Sequence, residues 1–365
     1  MDIAIIDNDL VVRKSHNFPN LALMKLSGYH KLKGDTVSLV GFDEINPSTL
    51  FYTKFDRIYI GKVFTDSETP AFVFKLNNIK IGGTGFYFDK AEPLSYEIEH
   101  SFPDYNLYSN VKKLNNKYYN DASIGYTTRG CFRHCEFCVN KNSNKVTLHS
   151  NINEFYDKNK GHITLLDDNV LGLNNKNLYA LIEELNQTQK KIQWRQGLDI
   201  RLISDERAEK LIKMRYDSHY HFAFDRMQDA AIIESKLKIW QTNWDSIHSG
   251  TAYYINTRFY VFMGFDRNNN YDKDFWLNEI ESVFIRIKIL FKYKSIPFVM
   301  RYYKWKDCVF YKFLVELTQW TNNARNIAMY SLSEYIELAD RKESKRFLTN
   351  YPEFKKYFDL KLKTL

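Results

Sequence analysis

The sequence predicts an α/β protein. A partial (β/α)6 TIM-like barrel spans 123–305. A small parallel-sheet domain at 1–110 and a linker at 111–122 precede it, and a basic helical region at 306–365 follows. Three observations predict this. The chain has 365 residues, more than one ordinary domain holds. Short apolar runs with strand character alternate with longer helical patterns, the order that builds parallel sheets. Apolar residues make up 44% and aromatics 16%, enough for a large core, while 14 Gly and 7 Pro are too few for a collagen-like or linker-rich chain.

The elements follow in order. Ile3-Ala4-Ile5-Ile6-Asp7 is an apolar strand. A helix is expected over 20–33, with Leu21, Leu23, Met24, Leu26 and Tyr29 on its apolar side and Gly34-Asp35 as its stop. Strand-like runs come next at Thr36–Val40, Arg57–Val63 and Ile79–Ile81, the last leading into Gly82-Gly83-Thr84-Gly85. Residues 111–122 are polar and Asn-rich and read as the linker. Six further strand runs are expected at Ser123–Tyr126, His162–Leu166, Ile192–Arg195, His219–Phe224, Arg258–Gly264 and Pro297–Tyr302. Helical patterns fall between them at about 153–158, 175–188, 205–214, 230–246 and 274–294. Six such units fit a partial parallel barrel; an open doubly wound sheet has the same periodicity.

Charge is uneven. Residues 286–365 hold 17 Lys and Arg against 8 Asp and Glu, a net +9, while the other 285 residues carry −1. Such a bias attracts phosphate-rich partners, and a solvated Lys-rich surface has the same composition. In the runs Arg341-Lys342, Lys345-Arg346 and Lys355-Lys356, the aromatics Tyr351, Phe354 and Tyr357 are interleaved. That pattern suits stacking on unpaired bases, and equally an amphipathic helix with an aromatic core face. A nucleic acid or nucleotide is therefore one expected partner or substrate. No run of about 18 apolar residues occurs, so no membrane span is expected. The start, MDIAIIDNDLVV, carries acids where a signal peptide needs bases, so a cytoplasmic location is expected.

The four cysteines stand at 131, 135, 138 and 308. Cys131, Cys135 and Cys138 form C-x3-C-x2-C directly after the first expected barrel strand, within Gly130-Cys131-Phe132-Arg133-His134-Cys135-Glu136-Phe137-Cys138. Clustered thiols in a cytosolic chain point to metal or redox chemistry. Three thiolates on one short loop suit three irons of a four-iron four-sulfur (4Fe-4S) cluster, leaving one iron open, and Gly130 permits the turn. Structural zinc is the competing use. It wants four closed ligands, and His134 or Cys308 would have to supply the fourth.

A C-x3-C-x-aromatic-C loop after the first strand of such a barrel resembles the radical S-adenosylmethionine (radical SAM) superfamily, over roughly 120–305. The resemblance implies that Cys131, Cys135 and Cys138 ligate the 4Fe-4S cluster and that Phe137 lies beside the adenine of S-adenosyl-L-methionine. It also implies a one-electron reductant of flavodoxin or ferredoxin type, reductive cleavage of S-adenosylmethionine, and hydrogen abstraction from substrate by the 5′-deoxyadenosyl radical.

Other positions match the family by location, at the C-terminal ends of strands where barrels build active sites. Leu165-Leu166-Asp167-Asp168-Asn169 stands where the family holds the methionine ammonium, with Asp168 and Asn169 as the contacts; a helix N-cap is the alternative use. Arg201, or Arg195, could meet the cofactor carboxylate or form a surface ion pair. Asp225 falls at a ribose position, and Gly264, in Met263-Gly264-Phe265-Asp266, at a close approach to adenine. His100, His134 and His162 are present, and no general acid or base is assigned.

The N-terminal segment resembles the small Rossmann-like domains that bind cobalamin in some radical SAM enzymes, with Gly82-Gly83 as the matching glycine pair. The D-x-H-x-x-G segment is missing, since Asp7 is followed by Asn8-Asp9-Leu10-Val11-Val12. Cobalamin binding stays open, and a domain serving the substrate is the preferred expectation. Methylthiotransferases share the layout but hold a second cluster on three more cysteines, and this N-terminal segment has none. The leading expectation is a radical SAM enzyme of unnamed substrate. The alternatives are a cobalamin-dependent radical SAM methylase and a non-enzymatic zinc and nucleic-acid-binding module.

Overall fold

The computed structural model describes residues 1–48, 54–114, 117–248 and 257–362. It divides into two compact units, Met1–Asp168 and Asn169–Leu365. Residues 115 and 116 of the expected linker, and the final residues 363–365, lie outside the described set.

The first unit opens with four strands: β1 (Asp2–Asp7), β2 (Thr36–Leu39), β3 (Arg57–Gly61) and β4 (Ile79–Gly82). All pair in parallel, in the order β2-β1-β3-β4. The unbroken apolar run of β1 reflects this: a central parallel strand is covered on both faces and needs no polar side. Ile3 and Ile5 pack with Leu23, Met24 and Leu26 of the helix Leu21–Leu32, and Ala4 and Ile6 pack with Val40, Phe42 and Val73 on the other face. That helix begins where the Asn20 side chain accepts the Leu23 amide at 3.3 Å, and it stops at Gly34, whose φ is +83°. The stretch 111–122 is not wholly polar in its setting. Leu114 is buried in the same core as Ile3 and Ile5, and the helix Lys117–Asn120 follows.

Further along the first unit come β5 (Ala122–Gly125), β6 (Thr128–Arg129), β7 (Thr147–Leu148) and β8 (His162–Leu165). β5 and β8 pair in parallel, and the short β6 and β7 pair antiparallel, tying together the two ends of the cysteine loop. The helix expected at about 153–158 is not formed. One 3-10 turn, Ile152–Glu154, stands there, closed by an Asn151–Glu154 capping box. The Phe155 ring then leaves the turn to lie against Gly125, where a Cβ would come within 2.2 Å of it.

The second unit carries β9 (Lys191–Trp194), β10 (Tyr220–Ala223), β11 (Thr257–Met263) and β12 (Ile296–Arg301). β10, β11 and β12 form a parallel sheet. Parallel bridges Ile192–Tyr216 and Leu198–Phe222 join the β9 region to that of β10. Helices Asn175–Gln187, Asp205–Ile212, Ala230–Ile247 and Lys273–Lys292 lie between strands close to where the 3.6-residue period placed them. β11 alternates strictly: Thr257, Phe259, Val261 and Met263 are buried, while Arg258, Tyr260 and Phe262 face the opposite, half-buried side. The fold is thus mixed α/β with parallel sheets.

The C-terminal region is helical, as expected. Its aromatics, however, form a core. Phe347 stacks on Phe313 with ring centroids 4.0 Å apart, and Tyr357 stacks on Phe284 at 5.4 Å. Phe354 and Tyr357 are only 5% and 8% exposed, and Tyr351 is half-buried. The amphipathic-helix alternative describes them. Several intervening bases pair locally: Lys345 with Glu337, Lys356 with Glu281, and Lys361 with Glu334.

Candidate functional site

The cysteine loop is shaped by its glycine and by two adjacent carboxylates. Gly130 has φ +91°, and a Cβ there would lie 2.2 Å from the Lys145 carbonyl oxygen, so no other residue fits. The Cys131 amide donates to Ser143 Oγ at 3.1 Å, and the Cys138 amide donates to the Cys135 carbonyl at 2.9 Å. The Asn140 amide donates to Cys138 Sγ at 3.4 Å. His134, in the left-handed region at φ +49°, is exposed, with Nδ1 2.8 Å from the Lys141 carbonyl. Phe137 is half-buried in the same loop.

Asp167 and Asp168 follow directly on β8 and hold this loop. Asp168 Oδ2 accepts the Gly130 amide at 2.7 Å, and its Oδ1 accepts Asn140 Nδ2 at 2.8 Å. Asp167 Oδ1 accepts the Thr127 amide and hydroxyl at 2.9 Å each, the Thr128 hydroxyl at 2.7 Å, and also the Thr128 amide. Asp167 is 1% exposed, and its Oδ2 is buried without a hydrogen-bond partner among the described residues. Burial pushes its pKa up to about 6, against the pull of those donors.

Beside the loop lies a charged cluster that sequence reading missed. The Arg129 guanidinium sits over the Tyr126 ring at 4.0 Å. Glu99 meets Lys25 Nζ at 2.9 Å and His149 Nε2 at 3.0 Å. Burial favours its neutral form, yet His149 and Lys25 hold its pKa down at about 2. His100 Nδ1 stands 2.6 Å from Glu154, and the His100 and His149 rings are 5.2 Å apart. These residues come from four distant sequence segments, and no local motif marks them.

The donor set suits an iron–sulfur cluster by its chemistry. Cys131, Cys135 and Cys138 are half-buried thiols on one pinned loop, and the Cys138 sulfur already takes an N–H donor. As placed, no three His, Cys, Asp or Glu side chains among the described residues converge closely enough to hold a metal ion. Cys308 stands apart, 2% exposed, with its thiol pushed up to about 12 by burial.

The expected cofactor contacts divide between the units. The cysteines, Phe137 and Asp168 belong to the first; Asn169, Arg201, Asp225 and Gly264 belong to the second. Asn169 is buried and makes no side-chain cap to the turn Val170–Gly172, so the N-cap alternative is not how it is used. Arg201, expected opposite a cofactor carboxylate or in an ion pair, is in ion pairs: Nε donates to Asp199 at 2.7 Å and Nη1 to Asp229 at 2.8 Å. Asp225 Oδ1 accepts the Phe262 amide at 3.3 Å, and burial raises its pKa to about 6. Gly264 has a reason of its own to be glycine. At φ +82°, a Cβ would lie 2.8 Å from the Trp276 ring. Arg286, unnoticed in the sequence, is fully buried and donates through Nη1 to the carbonyls of Phe224, Asp225 and Phe262 at 2.7–3.1 Å. Its signal was one arginine on the otherwise apolar face of a helix.

In the first sheet, Gly83 has φ +102°, and a Cβ there would lie 2.3 Å from the Lys62 carbonyl oxygen. The close approach the glycine permits is therefore to the chain's own backbone. A cavity of about 290 Å³ opens at the C-terminal ends of β1 and β2, lined by Asp7, Leu10, Val11, Leu39, Val40 and Gly41 among others.

No protein-family model matches the chain, and no curated protein matches it. One solved structure is similar: an apo, selenomethionine-labelled cobalamin-dependent S-adenosylmethionine radical enzyme, OxsB, at 13% identity and a TM-score of 0.38, covering 82% of this chain and 49% of that one. The chain spans about half that protein's length, and the likeness is too loose to fix either fold or chemistry. Among the described residues, no helix is long and apolar enough to cross a membrane.

Proposed function

We propose that this chain is a radical SAM enzyme, with the partial (β/α)6 barrel expected over 123–305. Cys131, Cys135 and Cys138 would hold a 4Fe-4S cluster. The observation that carries the reading is C-x3-C-x2-C, with Phe137 before its last cysteine, on a loop that begins five residues beyond β5 and is pinned by Asp168 from beyond β8. When bound, the reduced cluster and S-adenosylmethionine supply a 5′-deoxyadenosyl radical for hydrogen abstraction from substrate.

This chain's residues then have separable tasks. Asp167 and Asp168 hold the cysteine loop to the end of β8. Each Asp168 oxygen accepts one hydrogen bond and keeps a lone pair, so with Asn169 it can still receive the methionine ammonium. By the resemblance, Phe137 in the first unit would meet the adenine, and in the second unit Asp225 would meet the ribose and Gly264 would allow a close approach to adenine. Arg201, paired with Asp199 and Asp229, positions the loop after β9 rather than meeting the cofactor directly. The electron comes from a flavodoxin or ferredoxin type donor. The N-terminal sheet is assigned to the substrate in preference to cobalamin, because, of the glycine pair, Gly83 already meets the Lys62 carbonyl while Gly82 alone faces open space.

The test is cofactor cleavage. Anaerobically reconstituted protein, given S-adenosylmethionine and dithionite, should release methionine and 5′-deoxyadenosine. The Cys135→Ala variant should release neither. Equal release from both would refute the assignment.

A further inference from the structure

We infer that the half-buried face of the β10–β11–β12 sheet carries an oxyanion site, built on Arg258 and His221, that receives a phosphate group of the substrate. This rests on the radical SAM reading only in calling the ligand a substrate.

The placement comes from register. His221 on β10 and Arg258 on β11 are Cα partners in the parallel ladder, and in such a ladder paired residues share a face. The His221 ring stacks on Tyr260 at 5.5 Å and 23°. Gly197, at φ +93°, gives Tyr260 room; a Cβ there would lie 3.3 Å from its ring. The Tyr260 hydroxyl donates to the Arg195 carbonyl at 3.3 Å, which brings the chain after β9 alongside. The Arg258 guanidinium lies 6.0 Å from the Phe298 ring on β12.

Two polar nitrogens in this patch lack partners, the Arg258 one a donor and the His221 one a donor in one of its tautomers. Arg258 Nε and His221 Nδ1 are both buried and have no hydrogen-bond partner among the described residues. Buried polar groups are normally partnered, and a guanidinium nitrogen can only donate. The surroundings add positive charge. Burial first, and then Arg258, His219 and Arg195, push the His221 pKa down to about 4. Burial raises the Tyr260 pKa, while Arg195 and Arg258 act to lower it. An arginine with an unfilled donor beside a neutral imidazole, with Arg195 near and on a sheet face half open to solvent, is a receptor for an anion with several oxygens. Phosphate, doubly charged, suits two arginines better than a single carboxylate does.

The test is titration of the full-length apo chain with inorganic phosphate, by calorimetry at constant ionic strength set with chloride. We expect saturable binding. Arg258→Met should weaken it at least tenfold, Arg258→Lys less, and His221→Gln severalfold. His221→Gln is the second arm should Arg258→Met fail to fold, which circular dichroism reports. Saturating S-adenosylmethionine should leave phosphate affinity unchanged. Absence of binding to the wild-type chain, wild-type affinity in both His221→Gln and a folded Arg258→Met, or competition by S-adenosylmethionine would each overturn the proposal. Apo protein needs no cluster, so failure here is distinct from failure to bind iron.

Discussion

Asp168 accepts the Gly130 amide at 2.7 Å through one carboxylate oxygen, while its other oxygen accepts Asn140 at 2.8 Å. A single side chain beyond the end of β8 therefore holds the residue before the first cysteine and a residue just past the third. The neighbouring Asp167 anchors Thr127 and Thr128, the two residues that lead into the same loop. Adjacent carboxylates thus fix the site's entry and exit.

Asp168→Ala should loosen the loop. Each charge-assisted hydrogen bond contributes about 1.5–3 kcal/mol. Cys131 in the apo chain should alkylate several-fold faster, and iron retained after reconstitution should fall by more than half. Asp168→Asn, whose amide oxygen still accepts from Gly130, should recover most of both. Unchanged alkylation and iron in Asp168→Ala would remove the clamp from the account.

Cys131, Cys135 and Cys138 should each be necessary for iron binding, and Cys308 should not be. The buried, raised-pKa thiol of Cys308 is a packing group. Cys308→Ser should keep full iron content and cost about 1–2 kcal/mol in urea unfolding, since it buries a hydroxyl in place of a thiol. Iron loss in Cys308→Ser equal to that in Cys131→Ala would contradict the ligand set.

Much of the site was legible because it is local. Spacing alone singled out the cysteine loop and its glycine, and the strand runs either side of it put Asp168 just past β8, where the structure has it. What spacing cannot carry is the partner of a side chain. Asp168 reads as a ligand contact in sequence and is also a loop anchor in space. Arg201 left a cofactor carboxylate and an ion pair both open, and Asp229, 28 residues away, shows which is formed. The helix expected near 153–158 failed because Phe155 finds its place against Gly125, a contact that no local periodicity encodes.

The stability of the first unit should depend on Asp7. Its carboxyl accepts the Leu10 amide and the Tyr108 hydroxyl, yet burial raises its pKa from 3.8 to about 6. The folded state then binds the extra proton between about pH 4 and 6, so stability falls as pH rises through that window. Asp7→Asn removes this penalty. Relative to wild type, the variant should gain stability between pH 4.5 and 7.5, by at most about 3 kcal/mol. An equal difference at both pH values in urea unfolding would show that Asp7 does not titrate there.

The C-terminal aromatics should act as a core. Phe347 stacks on Phe313 and touches Phe354 and Phe358. Phe347→Ala should cost about 3–5 kcal/mol. If these rings instead served nucleic-acid stacking, the substitution would weaken RNA binding and leave the melting temperature unchanged.

The most direct test of the central claim is metal and sulfide analysis of the anaerobically purified, reconstituted chain, read with the low-temperature EPR spectrum of its reduced form. The account predicts close to four iron and four sulfide per chain, and a reduced-cluster signal that changes when S-adenosylmethionine is added, because the cofactor binds the iron that no cysteine holds. Stoichiometric zinc with no iron or sulfide, or a cluster signal indifferent to S-adenosylmethionine, would contradict it.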